Sequence, residues 1–422
     1  MKRIISVFLP ALVLLAACKK DRDKPQEPGT EIPKEIPNKP VAKPVGEPIG
    51  ALIITEVTPA GATIESEDGS FKVKIPVGAV TENIDIELQE VRNTAQGGVG
   101  RSFQLLPHGK IFAKPVTLEF SYAGHESMVN IPEALGVAWQ DEKDFWRLTK
   151  APVINKEQKT VSIQTDHFSN WALLQWLQLS PTATTVRTGG TANLTVLSYI
   201  PLGGDDLLSP LVPADGQDVT LGEGRPLPGV FIKSWAAGGV GTVKGNGGQA
   251  VYTAPATVAK PEIAHVTATL KDSKHQLMVV STITVVPEGI TFKLDGGEWV
   301  TFPAHSGANE EGFEMSGHKD GRFIALQWPG GTGGMAWDRD QKVAIVYADS
   351  HSKKNYASIY YDKALGFYIP AGGFLQVSEL GAKGEYVSGS FNMTGGGIFF
   401  TDDQDPLGKG SIQGYFSLKH DL

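Results

Sequence analysis

Long parts of this 422-residue chain alternate apolar and polar residues one for one. Phe71, Val73 and Ile75 alternate with Lys72 and Lys74, and Ile84, Ile86 and Leu88 with Asp85 and Glu87. Val116, Leu118 and Phe120 do the same with Thr117 and Glu119. Successive side chains of a strand point to opposite faces, so this period of two predicts strands with one buried face. No long helical pattern competes with it, and 49 glycines and 27 prolines suit short strands joined by turns. The expected class is all-β.

At about 150 residues per domain, the length predicts roughly three domains. A hydrophobic fraction of 41% supplies apolar material for several small cores. The formal net charge is −8, from 38 basic and 46 acidic residues. Loss of Lys2 and Arg3 with a cleaved leader makes it about −10. Such a balance gives solubility and disfavours a nucleic-acid partner, which needs a basic face.

Lys2 and Arg3 open the chain, and Ile4 to Leu15 is an apolar run of signal-peptide length. It is too short for a permanent membrane span. Leu15-Ala16-Ala17-Cys18 follows, and Cys18 is the only cysteine, so the folded part has no disulfide. This run resembles the bacterial lipobox. The resemblance implies a signal peptide over 1–17, cleavage before Cys18, and a lipid on its thiol that holds the protein to a membrane. Several acyl chains anchor stably where one binds only marginally. Lys19 in place of an aspartate implies the outer membrane. Lys19-Lys20-Asp21-Arg22-Asp23 resembles a surface-export tag, and equally suits a solvated spacer. The segment 18–49, with Glu31-Ile32-Pro33-Lys34 and Glu35-Ile36-Pro37-Asn38, reads as a lipidated cysteine and a stiff Pro-rich tether.

The strands quoted above fall in a first domain, 50–175. Asp68-Gly69 is a hairpin turn, and Asp141 to Asp144 a polar turn between strands centred on Val137 and Trp146. The spacing predicts an antiparallel sandwich. Gly61-Ala62-Thr63-Ile64, Asp68 to Pro76, Gly78-Ala79-Val80, Pro107-His108-Gly109 and Phe112 to Val116 together resemble the ZU-type β-sandwich of zonula occludens proteins, netrin receptors and ankyrins. In some relatives a His-Phe-Ser triplet cuts its own backbone, and His167-Phe168-Ser169 matches it. There Ser169 Oγ attacks the Phe168 carbonyl, His167 takes the proton, and a strained peptide relaxes to an ester that water hydrolyses. The alternative is structural: His167 caps a turn, Phe168 fills the core, Ser169 bonds to backbone.

Residues 176–287 read as a second sandwich. Thr188-Gly189-Gly190-Thr191, Trp235, Val251-Tyr252-Thr253-Ala254-Pro255 and the alternating Val266, Ala268 and Leu270 resemble a bacterial immunoglobulin-like domain, which implies a tryptophan in the core. Pro201 to Pro228 reads as a long solvated loop, whose Asp205, Asp206, Asp215 and Asp218 do not match a calcium-loop pattern. Residues 288–422 read as a third β-domain. An opening Leu294-Asp295-Gly296…Trp299 strand and the late Val387-Ser388-Gly389-Ser390-Phe391 resemble a lipoprotein β-domain of unknown function.

Trp328 and Trp337 flank a glycine-rich stretch of that domain. Exposed, they are candidate ligand-binding residues for a sugar or a protein partner; buried, they build core. No nucleophile elbow, phosphate-cradling loop or zinc pattern is present, and the histidines show no ligand spacing. No metal and no cofactor is expected. The leading expectation is three consecutive antiparallel β-sandwich domains on a tether, forming a non-catalytic cell-envelope lipoprotein that binds a glycan or protein. Self-cleavage between Phe168 and Ser169, or a purely structural spacer, are the alternatives.

Overall fold

The computed structural model describes residues 39–202, 206–209, 217–272, 274–309, 312–400 and 403–421. The leader, Cys18 and most of the tether lie outside them. The described chain is all-β, and its only helices there are three single 3-10 turns.

The first module stacks two sheets. One runs Ile53–Val57, Ile84–Val91, Gly98–Leu106, Asn170–Gln175, Leu135–Gln140 and Trp146–Leu148. The other runs Ala62–Glu65, Phe71–Ile75, Ile111–Ser121, Thr160–His167 and Val153–Asn155. The alternating residues pair as their pattern requires: Phe71, Val73 and Ile75 are buried, as are Val116, Leu118 and Phe120. Phe71 stacks on Phe103 at 4.3 Å and meets Phe120 at 4.7 Å, which joins the two inner faces.

Asn170–Gln175 breaks the alternation, since all six residues are buried. Trp171 and Leu173 face the first module's core, while Ala172 and Leu174 belong to a second core shared with the next module. That second core combines Trp146, Leu148 and Trp176 with Leu194, Val196, Tyr252 and Ile283. The second module has Ala183–Arg187, Met278–Val286, Glu262–Leu270 and Ile232–Gly239 on one side. Leu177–Ser180, Thr191–Ser198, Gln249–Thr253 and Thr242–Asn246 lie on the other. Tyr252 is fully buried at its centre. Trp235, expected in the core, packs partly buried against its edge, over Gly245, with its Nε1 donating to Gly247 O at 3.0 Å.

The stretch read as a solvated loop is largely packed where it is described. Leu207, Leu221 and Leu227 are buried, and Val219–Thr220 pairs with Trp146–Leu148 as an added edge strand of the first module's sheet. The end of the tether differs as well. Residues 39–49 lie along the fold, because a Pro-rich extended backbone leaves its carbonyls free to accept bonds from neighbouring edges. Glu223 N donates to Lys39 O, Thr94 Oγ1 to Pro44 O and Arg92 N to Glu47 O. Lys43 N donates to Asp144 O.

The third module is not two stacked sheets. Its eleven described strands form one sheet, running from Val300–Phe302 through Gly289–Leu294, Asp403–Lys419 and Tyr386–Phe400 to Ala304–Asn309. The sheet curls into a near-barrel: Ser306 bridges His420, and its Oγ donates to Lys419 O at 2.8 Å. Phe391 lies opposite Gly414, and Phe416 opposite Gly389, so each ring covers a glycine across the ladder. A separate two-stranded hairpin, Ile359–Asp362 with Phe367–Pro370, forms no ladder with this sheet and packs its first strand against Tyr386–Phe400 and Asp403–Lys419.

Candidate functional site

The triplet His167-Phe168-Ser169 marks the point where the chain leaves one sheet of the first module for the other. Thr160–His167 belongs to the five-stranded sheet and Asn170–Gln175 to the larger one. Phe168 is 1% exposed and meets Phe112 edge-on at 4.7 Å between the two sheets. Ser169 is buried, and its Oγ donates to Gln140 O at 2.6 Å. His167 sits between Trp139, met edge-on at 4.8 Å, and Trp171, tilted against it at 5.4 Å.

The polar contacts decide what this corner can do. His167 Nδ1 lies 3.2 Å from both Thr165 Oγ1 and Asp166 Oδ1. Its Nε2 is buried without a hydrogen-bond partner among the described residues, and no hydrogen bond joins His167 to Ser169. The Phe168 carbonyl accepts the Gly109 N–H at 3.2 Å, and the Ser169 carbonyl accepts the Leu105 N–H at 3.0 Å. None of the three residues has a positive φ. Acyl attack needs a base on the hydroxyl proton and a strained peptide. Here the proton is held by a backbone carbonyl.

A cleft of about 520 Å³ opens beside the corner, lined by His108, Trp139, Asp141, Ser169 and Val45, the last from the strap that residues 39–49 lay across the fold. Burial pushes the His108 imidazole below its ordinary value, and the Asn170 side chain opposes that shift. Burial alone would raise Asp141. The Phe145 N–H, the Arg147 guanidinium and the Lys143 N–H outweigh it and hold the carboxyl below the usual carboxylate range. Gln140 is the hub: its carbonyl accepts the hydrogen bond of the Ser169 hydroxyl, its Oε1 accepts that of the Asn170 amide at 2.9 Å, and its Nε2 donates to Lys43 O. Nothing in the sequence singles out Gln140, because its role depends on the strap lying across it.

The two tryptophans read as candidate ligand contacts are core residues. Trp328 is 1% exposed and stacks on Phe313 at 5.4 Å. Trp337 is 4% exposed and donates its Nε1 to Asn392 O at 2.8 Å. Neither offers an outward face for a sugar, since both rings are consumed in filling the near-barrel. Cys18 lies outside the described residues.

The exposed aromatic surface is elsewhere. Phe367, Tyr368, Phe374 and Phe400 are the exposed large aromatics among the described residues, and all belong to the third module. Phe367 and Tyr368 sit on the separate hairpin, whose tip carries Leu365 at 57% exposure. The aromatic pairs of Tyr360-Tyr361 and Phe367-Tyr368 around Lys363-Ala364-Leu365-Gly366 signal this hairpin in the sequence, but apolar strands of this kind read equally as core.

Asp206, Asp272 and His275 bring three ligand-type atoms together. Lys274 Nζ bonds Asp206 at 2.6 Å, and Asp272 accepts the Leu207, Lys274 and His275 amides, so the cluster is satisfied by its own chain. No family model matches this chain, and no curated protein matches it.

Proposed function

We propose that the chain is a non-catalytic lipoprotein of the cell envelope, anchored at the outer membrane through a lipid on Cys18. Its ZU-type, immunoglobulin-like and lipoprotein-type β-modules present surfaces to a glycan or a protein. The observation that carries the non-catalytic part is the Ser169 hydroxyl, which donates to Gln140 O and not to His167. The same bond makes the triplet a packing corner of the sandwich and leaves Ser169 without a base.

Intact mass of residues 19–422 after storage at neutral pH tests this, beside a Ser169→Ala control. One mass in both samples is expected. Two pieces, one ending at Phe168 and one beginning at Ser169, appearing only in the parent, would establish self-cleavage instead. The binding part fails separately: a glycan array and a partner pull-down that both stay blank would remove it. A structural spacer is the second reading, favoured by the core that the first two modules share. It predicts co-purification with a larger assembly and no ligand for the isolated protein.

A further inference from the structure

The hairpin Ile359–Pro370 is built unlike the rest of the surface. Its base is held by Ser358 and Ala371, both buried: Ala371 N donates to Ser358 O at 2.7 Å, and Ser358 N to Ile345 O at 3.0 Å. Its tip is fixed by Asp362, whose Oδ1 accepts the Ala364 and Leu365 amides at 2.9 and 3.1 Å. The Gly366 amide donates to Asp362 O at 2.8 Å, with Gly366 at φ 74° closing the turn. The amides of Ala364, Leu365 and Gly366 are therefore satisfied within the hairpin. The end carries Asp362 and Lys363, and with them apolar or aromatic side chains that face outward: Leu365 is 57% exposed, Phe367 39% and Tyr368 37%.

Strand alternation puts Tyr360, Asp362, Phe367 and Ile369 on one face and Ile359, Tyr361, Tyr368 and Pro370 on the other. Two cations cover the first face. Lys409 Nζ lies 3.6 Å from the Tyr360 ring centroid, and the Arg339 guanidinium 4.9 Å from that of Phe367. Neither cation forms an ion pair with a described residue. With Lys363 in the turn, three cations lie at or beside this apolar point, interspersed with Asp338, Asp340 and Asp362.

We propose that this hairpin is a second membrane contact, its tip entering the interface of a phospholipid bilayer. The proposal rests on the lipid anchor at Cys18 only for bringing a bilayer close. Three observations favour lipid over a sugar or a protein pocket. Sugar hydroxyls need outward-facing hydrogen-bonding groups, and the Asp362 carboxylate and the tip amides are already used inside the turn. An apolar medium needs the reverse, polar groups bonded internally, as the Ala364, Leu365 and Gly366 amides are. The side chains also follow the order of an interfacial segment: Leu365 at the turn beside Lys363, whose long stem lets its charge reach back to the headgroups, then Phe367, Tyr368 and Tyr361, with Arg339 and Lys409 against the aromatic rings.

The dimensions agree. Interfacial elements bury about 5–10 Å, and a strand rises about 3.4 Å per residue, so only the tip and the first cross-strand pairs enter. Residues 19–38 can extend roughly 60 Å at about 3.1 Å each, which keeps the folded part within reach of the bilayer that holds the anchor.

The test is sedimentation of unlipidated residues 19–422 with vesicles of phosphatidylethanolamine and phosphatidylglycerol, beside a Leu365→Ser/Phe367→Ser double variant. The parent should sediment with the vesicles. The double variant should partition on the order of tenfold more weakly, because it removes most of the apolar area at the tip. Its unfolding midpoint should match the parent's, as both side chains are exposed. Arg339→Gln/Lys409→Gln should weaken binding to these vesicles and leave binding to purely zwitterionic ones unchanged. A parent that stays in the supernatant, or a double variant that sediments equally well, overturns the proposal. So does retention on a glycan array that depends on Leu365 and Phe367 while vesicles stay bare. The anchor fails independently: an unmodified Cys18 in the protein from cells would remove it without touching the vesicle result.

Discussion

The two junctions between modules are made in opposite ways. Between the first and second, one apolar core runs through, with Trp146, Leu174 and Trp176 from one side and Leu194, Val196 and Tyr252 from the other. The second module donates Val219–Thr220 to the first module's sheet, and Trp139 Nε1 bonds Asp218 at 2.8 Å. The strap of residues 39–49 spans both, bridging to Gly222 at Pro40 and to Val91 at Pro48. Between the second and third modules the cores are separate. The seam there holds the Arg187 guanidinium over the Tyr386 ring and a cleft of about 420 Å³ lined by Thr184, Thr185, Asn193, Ser378 and Glu379. Shared apolar burial makes two modules one cooperative unit, whereas a seam between separate cores couples its neighbours less.

The strongest way to break the comparison is in the shared core. Trp146→Ala should destabilise the first two modules together by about 3–5 kcal/mol, the usual cost of emptying a buried tryptophan site. In scanning calorimetry the larger transition should fall by roughly 10 °C, with the third module's transition unmoved. If the first module alone shifted, the junction would be a contact and not a core.

The converse change belongs in the near-barrel. A Cβ at Gly389 would lie 2.1 Å from Gln376 O and 2.5 Å from the Phe416 ring, with no flexible group to move aside. Gly389→Ala should cost about 1–3 kcal/mol and lower only the third module's transition. A matching shift in the larger transition would show the seam to be as firm as the first junction.

A smaller effect is expected at the strap. A Cβ on Gly46 would sit 1.8 Å from Arg92 O, so Gly46→Ala should lift the strap locally and disturb neither core. Amide exchange at Arg92 and Glu223, which donate to Glu47 O and Lys39 O, should rise on the order of tenfold. Exchange that rises at Arg92 alone would mean that the strap is two separate contacts and does not clasp the junction.

The sequence shows the first of these regions more clearly than the second. Phe71–Ile75, Ile84–Val91 and the Asp68-Gly69 turn carry a period of two because each strand has one wet face and one dry. Asn170–Gln175 loses that signal because its two faces feed two cores, a fact about its neighbours and not its own residues. The near-barrel is illegible for a related reason: its curl is fixed by Ser306 meeting His420, over a hundred residues apart. The triplet at 167–169 is visible as residue types, but the partner of the Ser169 hydroxyl, the Gln140 carbonyl, comes from another strand. Trp328 and Trp337 look alike whether buried or exposed, and so do Leu365 and Phe367. In each case the pattern gives the residue, and the tertiary fold decides which side of it meets water.

The seam itself gives the finest test. Arg187 also donates to Thr188 O at 3.0 Å, so its guanidinium is already oriented when it meets Tyr386 at 4.2 Å. An exposed cation–π contact contributes about 0.5–1 kcal/mol. That is too little to move either unfolding transition visibly, but enough to shift the population of seam-closed molecules several-fold if little else holds it. Arg187→Ala should therefore widen the distribution of orientations of the third module, read as a broader small-angle scattering distance distribution. Tyr386→Ala should do the same, and the double variant should add nothing further, because both changes remove one contact. If the distribution stays narrow in all three, the seam is held by the neighbouring strands Ala183–Arg187 and Asp403–Lys419, and the third module is carried as rigidly as the other two.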